Sequence, residues 1–158
     1  MKTYSVSKGM QMNAKDVLRA VLAGVVGTAV MTVMTLMASA MGLPMDIPGM
    51  LSGFMQVPVF VGWLAHFMIG VVFALVYAFG LASQLPGGPV VKGALFGLIP
   101  FLLAQIMVMP MMGMGLFTSN APNALLLVMG SLMGHLVYGG VVGAVYGPVR
   151  VASHSKAA

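Results

Sequence analysis

Gly62-Trp-Leu-Ala-His66-Phe-Met-Ile-Gly70 sits inside an apolar run from about 58 to 81, and a variant of it, Ser131-Leu-Met-Gly-His135-Leu-Val-Tyr-Gly139, sits inside another from about 124 to 146. Each run meets the requirement of roughly 20 apolar residues for a helix that crosses a bilayer. Each carries one histidine, preceded by a small residue (Ala65, Gly134) and followed four positions later by glycine. An ionisable side chain at membrane depth is costly, which makes both histidines candidates for function.

Working outward, the rest of the chain has the same character. Of its 158 residues, 60% are hydrophobic and 6% charged, and the mean hydropathy is +1.05. A soluble domain carries about a quarter charged residues, so this chain has too little polar surface to cover a water-soluble globule. The expected class is an all-α membrane protein with spans at about 17–41, 58–81, 91–109 and 124–146. A polar N-terminal arm (1–16) precedes the transmembrane domain (17–148), and a short C-terminal tail (149–158) follows it. Ser83-Gln-Leu-Pro-Gly-Gly-Pro89 reads as the turn between the second and third spans, because proline and paired glycine punctuate elements. With no cysteine in the chain, disulfides and thiolate metal sites are excluded.

The basic residues are Lys2, Lys8, Lys15, Arg19, Lys92, Arg150 and Lys156, all in the termini or the middle turn. By the positive-inside rule both termini and that turn are expected to be cytoplasmic, in a bacterial inner membrane. Cations that flank apolar segments mark topology, and a nucleic-acid partner is not expected. Lys15 and Arg19 before an apolar run ending in Ala38-Ser39-Ala40 also have the form of a signal peptide. The run is long for that role, and cleavage would remove half of one repeat.

That repeat relates the two halves of the chain. His66 and His135 are 69 positions apart (135 − 66), and the same offset links Gly24 to Gly93, Gly70 to Gly139, Val72 to Val141, Val76 to Val145 and Tyr77 to Tyr146. The fold expected is therefore a four-helix bundle of two helical hairpins, related as parallel repeats by an axis along the membrane normal. Gly62, His66, Gly70 and Ala74 recur every four residues on one span, and Ser131, His135, Gly139 and Gly143 on the other. Small residues at that spacing allow close helix approach, so these faces are expected to point into the bundle or toward a second copy or larger complex. At 1.5 Å per residue the histidines lie about 12 and 16 Å from the outer ends of their helices.

Two readings of the pair stand. In one, each imidazole makes an interhelical hydrogen bond, with Thr32, Thr35, Ser39 or Gln105 as partner, in a cofactor-free structural or assembly subunit. In the other, the pair ligates something across the axis. Two facing imidazoles suit a b-type haem and electron transfer, with Gly70 and Gly139 giving room for the macrocycle. No lysine or arginine lies at that depth to meet haem propionates.

Eighteen methionines suggest a second ligand. Met31, Met34, Met37 and Met41 stripe the first span, and Met129 and Met133 precede His135. Met45, Met50 and Met55 occupy the first outer loop, and Met107, Met109, Met111, Met112 and Met114 the region of the second. Thioethers select copper(I), so a copper site would draw on His66 and His135 with Met45, Met50, Met111 and Met114. Methionine also fills irregular helix contacts without any ligand. Asp46, in Met45-Asp-Ile-Pro-Gly-Met50, is expected to cap a short helix carrying Met50, Leu51 and Phe54, with Pro48 in its first turn. An outer cation or proton site is the alternative for that carboxylate. Thr28, Thr32, Thr35 and Ser39 should line the inner face of the first span, and Trp63 should anchor at the interface.

No HExxH, paired carboxylate or phosphate-cradling loop is present, which argues against hydrolytic and phosphoryl-transfer enzymes. Gly42-Leu-Pro-Met-Asp-Ile-Pro-Gly-Met50, Gly62-Trp-Leu-Ala-His66, Met107-Val-Met-Pro-Met-Met-Gly-Met-Gly-Leu-Phe117 and the later Gly-His resemble a family of small four-span bacterial inner-membrane proteins with no assigned function. The resemblance covers most of residues 17 to 148. It implies membrane location and span count, and no activity.

Overall fold

A computed structural model describes residues 13–43 and 45–148. The expectations for residues 1–12, for Pro44 and for the tail from 149 onward lie outside the described residues. The chain forms α1 (Ala14–Ala40), a short α2 (Ile47–Met55), α3 (Val59–Leu81), α4 (Pro89–Met111) and α5 (Ala124–Tyr146). All but α2 are long and apolar enough to cross a membrane.

Local chemistry sets the helix ends. The Asn13 side chain accepts the Lys15 N–H at 3.1 Å, which draws three residues of the expected arm into α1. Asp46 caps α2 by accepting the Gly49 N–H at 3.0 Å, with Pro48 in the first turn. Gln56, at φ 55°, closes that helix in the left-handed region. Pro89 starts α4, where its missing N–H costs nothing. A π-helical turn at Ala104–Val108 carries α4 past Pro110 to Met111, two residues beyond the expected end. The last turn of α3, Tyr77–Leu81, is also π-helical.

The helices bury their small faces and expose their large ones. On α3, Gly62, His66, Gly70 and Ala74 are buried, while Leu64 and Met68 are 66% and 64% exposed. That is the pattern a lipid solvent calls for, since tails solvate leucine as well as a protein core does. The small-residue faces, which could have held a second copy, are occupied inside the chain.

The two hairpins pack by matching contacts. Gly24 on α1 backs onto the Gly70 carbonyl, Val71 and Ala74 of α3. Gly93 on α4 backs onto the Gly139 carbonyl and Gly143 of α5, the partners found at the same offset of 69. Tyr77 and Tyr146, themselves counterparts, meet edge to face with ring centroids 6.0 Å apart. Equivalent residues touching each other mark the pseudo-twofold axis. Lys15, Arg19 and Lys92 lie at this end of the bundle, the terminal end; Arg19 sits 5.8 Å over the Tyr146 ring, and the Lys92 ammonium donates to the Ala82 carbonyl at 2.9 Å. The opposite end, the lid end, carries α2 and the α4–α5 connection.

One seam breaks the symmetry. α1 packs along both α3 and α5, and α4 along α5, but α3 and α4 come together mainly around Phe73, Tyr77 and Phe96. In the closed α1–α5 seam, Gly27 lies against Val142 and Tyr138. The counterparts of Gly27 and Val142 are Phe96 and Phe73 (96 − 27 and 142 − 73 both give 69), whose rings sit 6.4 Å apart. Two phenyl rings stand where the other seam has glycine and valine, and they hold α3 and α4 apart.

Candidate functional site

Between the hairpins, toward the lid end, lies a cavity of about 180 Å³. Both His66 and His135 line it. Toward the terminal end it is lined by Thr28, Phe73 and Tyr138, of which Phe73 and Tyr138 pack with the core cluster of Ala74, Tyr77, Phe96 and Tyr146, and α2 contributes Ile47, Met50 and Leu51 to its lining.

The two histidines are held differently. The Thr32 hydroxyl donates to the Thr28 carbonyl at 2.7 Å, so it meets His66 Nε2, at 3.0 Å, as an acceptor. His66 therefore carries its proton on Nε2, and its Nδ1 has no partner among the described residues. His135 Nδ1 lies 2.8 Å from the Ser131 carbonyl, which can only accept. Its proton is thus on Nδ1, and Nε2 is the nitrogen left over. A hydrogen bond to the inner nitrogen that fixes ring and tautomer is the usual support of a metal-binding imidazole. The expected interhelical bond is found for His66, through Thr32, whereas His135 bonds within its own helix and lays its ring 6.0 Å from that of Phe101.

Around them is a polar set the sequence only partly disclosed. Thr28, Thr32 and Thr35 are buried, as the stripe on α1 led one to expect. Gln105, in the π-helical turn of α4, donates to the Ser131 hydroxyl at 3.0 Å. Tyr138 donates to the Gly70 carbonyl across the hairpins. Thr118 comes from the lid, where it and Phe117 adopt φ of 51° and 48°. A β-branched residue in that region is strained, and strain of this kind is retained where surrounding structure demands it. Among the described residues Gln105 Oε1, Thr28 Oγ1 and Thr118 Oγ1 are buried without a hydrogen-bond partner, and all three residues line this one cavity.

The methionines divide. Met45, Met50 and Met114 line the cavity as expected, joined by Met31 and Met109. Met111 is 64% exposed and does not line it. Gly70 lines the cavity, but the space in front of it is filled by the Thr28 side chain. Gly139 belongs to the α4–α5 seam, against Gly93 and Gly97, and is not part of the lining. Neither glycine offers the open room expected of it, because Gly70 is covered by a threonine side chain and Gly139 by the backbone of α4. Among the described residues no three His, Cys, Asp or Glu side chains gather to hold a metal, so the donors available are imidazole and thioether.

Gln105 was expected as a histidine partner and bonds Ser131 instead, while Thr118 is a polar lining residue that the sequence did not disclose. Gln105 had a signal, being an amide at membrane depth; Thr118 had none, since a loop residue folds back only in three dimensions. The chain matches no curated protein and no solved structure. Residues 14–156 do match a family model, and the chain belongs to that family of unknown function, DUF6789.

Proposed function

We propose that the protein is a multi-pass protein of the bacterial inner membrane, both termini cytoplasmic, that holds a soft metal ion, copper(I), in its paired-histidine cavity. The observation that carries this is the lining: two imidazoles and five thioethers (Met31, Met45, Met50, Met109, Met114) converge on one cavity that no acidic side chain lines. Thioether and imidazole together select copper(I) over harder ions. The orientation follows from Lys15, Arg19 and Lys92 at the terminal end.

Bis-histidine haem b is the second reading, favoured by the proton on His135 Nδ1, which leaves Nε2 for an axial bond. The cavity as it stands is small for it. Pockets for drug-sized ligands run about 300–1,000 Å³, against about 180 Å³ here, and haem would require α3 and α4 to part further.

The test is anaerobic titration of the full chain in detergent with copper(I), in competition with a chromophoric chelator. Wild type should bind one ion. His135→Ala should weaken binding by at least about tenfold, the usual cost of losing a metal-supporting group, and X-ray absorption should show sulfur and nitrogen around copper. A sharp reduced α-band instead, lost in His66→Ala and His135→Ala, would transfer the site to haem. Uptake of neither returns the protein to a cofactor-free structural role.

A further inference from the structure

We infer that the terminal end of the bundle holds the phosphate of an anionic phospholipid, in a pocket between the α3–α4 turn and the end of α5. This goes beyond the metal reading and does not depend on it, since the histidine cavity lies toward the opposite end and shares no lining residue with this pocket.

The first observation is the pocket and its charge. A volume of about 230 Å³ is lined by Tyr77, Ala82, Ser83, Pro89, Lys92 and Gly147 among others, and no acidic side chain lines it. A lysine that only marks topology carries its charge out into water. Lys92 is instead half-buried and turned back to the Ala82 carbonyl at 2.9 Å. That bond uses one N–H of the ammonium and leaves two. The Arg19 guanidinium borders the Gly147 wall, and Lys15 stands one turn before it on α1. Basic pockets between spans are where anionic headgroups seat.

The second is an unused hydroxyl. Tyr77 lines the pocket and is 1% exposed, yet among the described residues its hydroxyl has no hydrogen-bond partner. A buried phenol usually finds one, as Tyr138 does at the Gly70 carbonyl. The helix α4 also starts at this pocket, and the N–H groups of Val90 and Val91 in its first turn have no acceptor within the helix. The side chains of Lys92, Tyr77 and Ser83 can each donate, and the positive end of the α4 dipole lies beside them. Such a set takes an anion with several acceptor oxygens, and phosphate is one.

The third separates a lipid from a free anion. Lys92, Leu95, Ile99 and Leu102 follow one another at spacings of 3, 4 and 3 and so share one side of α4. The three apolar members are 38%, 41% and 45% exposed, a strip that runs from the pocket into the depth of the membrane. A cation at the head of an apolar strip matches the order of groups in a phospholipid, with phosphate at the interface and acyl chain below. Lys15, Arg19 and Lys92 outnumber Asp16 at this end, which favours an anionic headgroup over a zwitterionic one.

The experiment titrates delipidated, metal-free full-length protein in detergent with phosphatidylglycerol and with phosphatidylcholine of the same acyl chains, and counts bound lipid by native mass spectrometry. Phosphatidylglycerol should bind about fivefold more tightly, the worth of one cation near an anionic lipid. Lys92→Gln should remove most of that preference, and Lys92→Arg should keep it. Tyr77→Phe, which preserves ring packing and charge, should weaken phosphatidylglycerol about threefold, the worth of one neutral hydrogen bond. Inorganic phosphate in excess should leave the lipid bound. Equal binding of the two lipids, or wild-type binding by both Lys92→Gln and Tyr77→Phe, overturns the inference. Displacement by inorganic phosphate overturns the lipid as occupant and leaves a site for a free anion. Because no metal is present, failure of the copper reading leaves the result unaffected, and the reverse also holds.

Discussion

The two hairpins are built to one plan and differ at a few paired positions that decide what the protein has at its centre. Gly24 against Gly70 and Ala74 is repeated as Gly93 against Gly139 and Gly143. Thr32, which anchors His66, has Phe101 as its counterpart (101 − 32 gives 69), and His135 accordingly packs beside a ring and turns to its own backbone. Thr28 has Gly97 as counterpart, so one hairpin presents a buried hydroxyl where the other has only backbone. Gly27 has Phe96, so one seam closes and the other stays open. The shared glycine contacts hold the helices of each hairpin together, and the divergent positions fall beside the two histidines and at the α3–α4 seam. The scaffold is symmetric and the site is not.

The largest expected effect comes from removing the prop. Phe96 is fully buried, and Phe96→Ala should cost about 3–5 kcal/mol, seen as the greatest fall in thermal midpoint in detergent. It should also let α3 and α4 draw together, read as a shorter distance between spin labels on the two helices; an unchanged distance would show that Phe96 does not hold the seam. Next is the repeated backbone contact. A methyl at Gly93 would overlap the Gly139 carbonyl, whereas one at Gly80 meets nothing within 4 Å. Gly93→Ala should therefore destabilise by about 1–3 kcal/mol and Gly80→Ala by less than about 0.5 kcal/mol. Were the two equally harmless, the matching of the hairpins would be lost. The smallest effect concerns α2, whose place in the second hairpin is taken by a short 3-10 turn at Leu116–Thr118. Asp46→Ala removes the cap of α2, worth about 1 kcal/mol, and should speed hydrogen exchange over residues 47–55 while the spans keep their protection.

Much of the scaffold was legible in the sequence. The four apolar runs, the offset between halves, the ladder Gly62, His66, Gly70 and Ala74, and the Asp46 cap all follow from local pattern, because helix periodicity and capping depend on neighbours in the chain. The cavity was legible only in outline. His66 to Thr32 could be anticipated from a threonine stripe facing a histidine helix. That His135 would turn to Ser131, that Gly139 would be consumed by a seam, and that Met111 would face outward depend on the register between helices, which no single-helix pattern carries. The open seam was hidden for the same reason: Phe73 and Phe96 read as two more apolar residues until placed opposite each other.

The contact of Tyr77 with Tyr146 has a bearing on why the chain is continuous. Two identical hairpins associating about an axis would also bring tyrosine to tyrosine, but they would be bound to copy every other contact twice. Both seams would be shut or both ajar, and both histidines would be held alike. The linker of residues 82–88 releases the halves from that obligation, so that one seam can close while the other stays ajar.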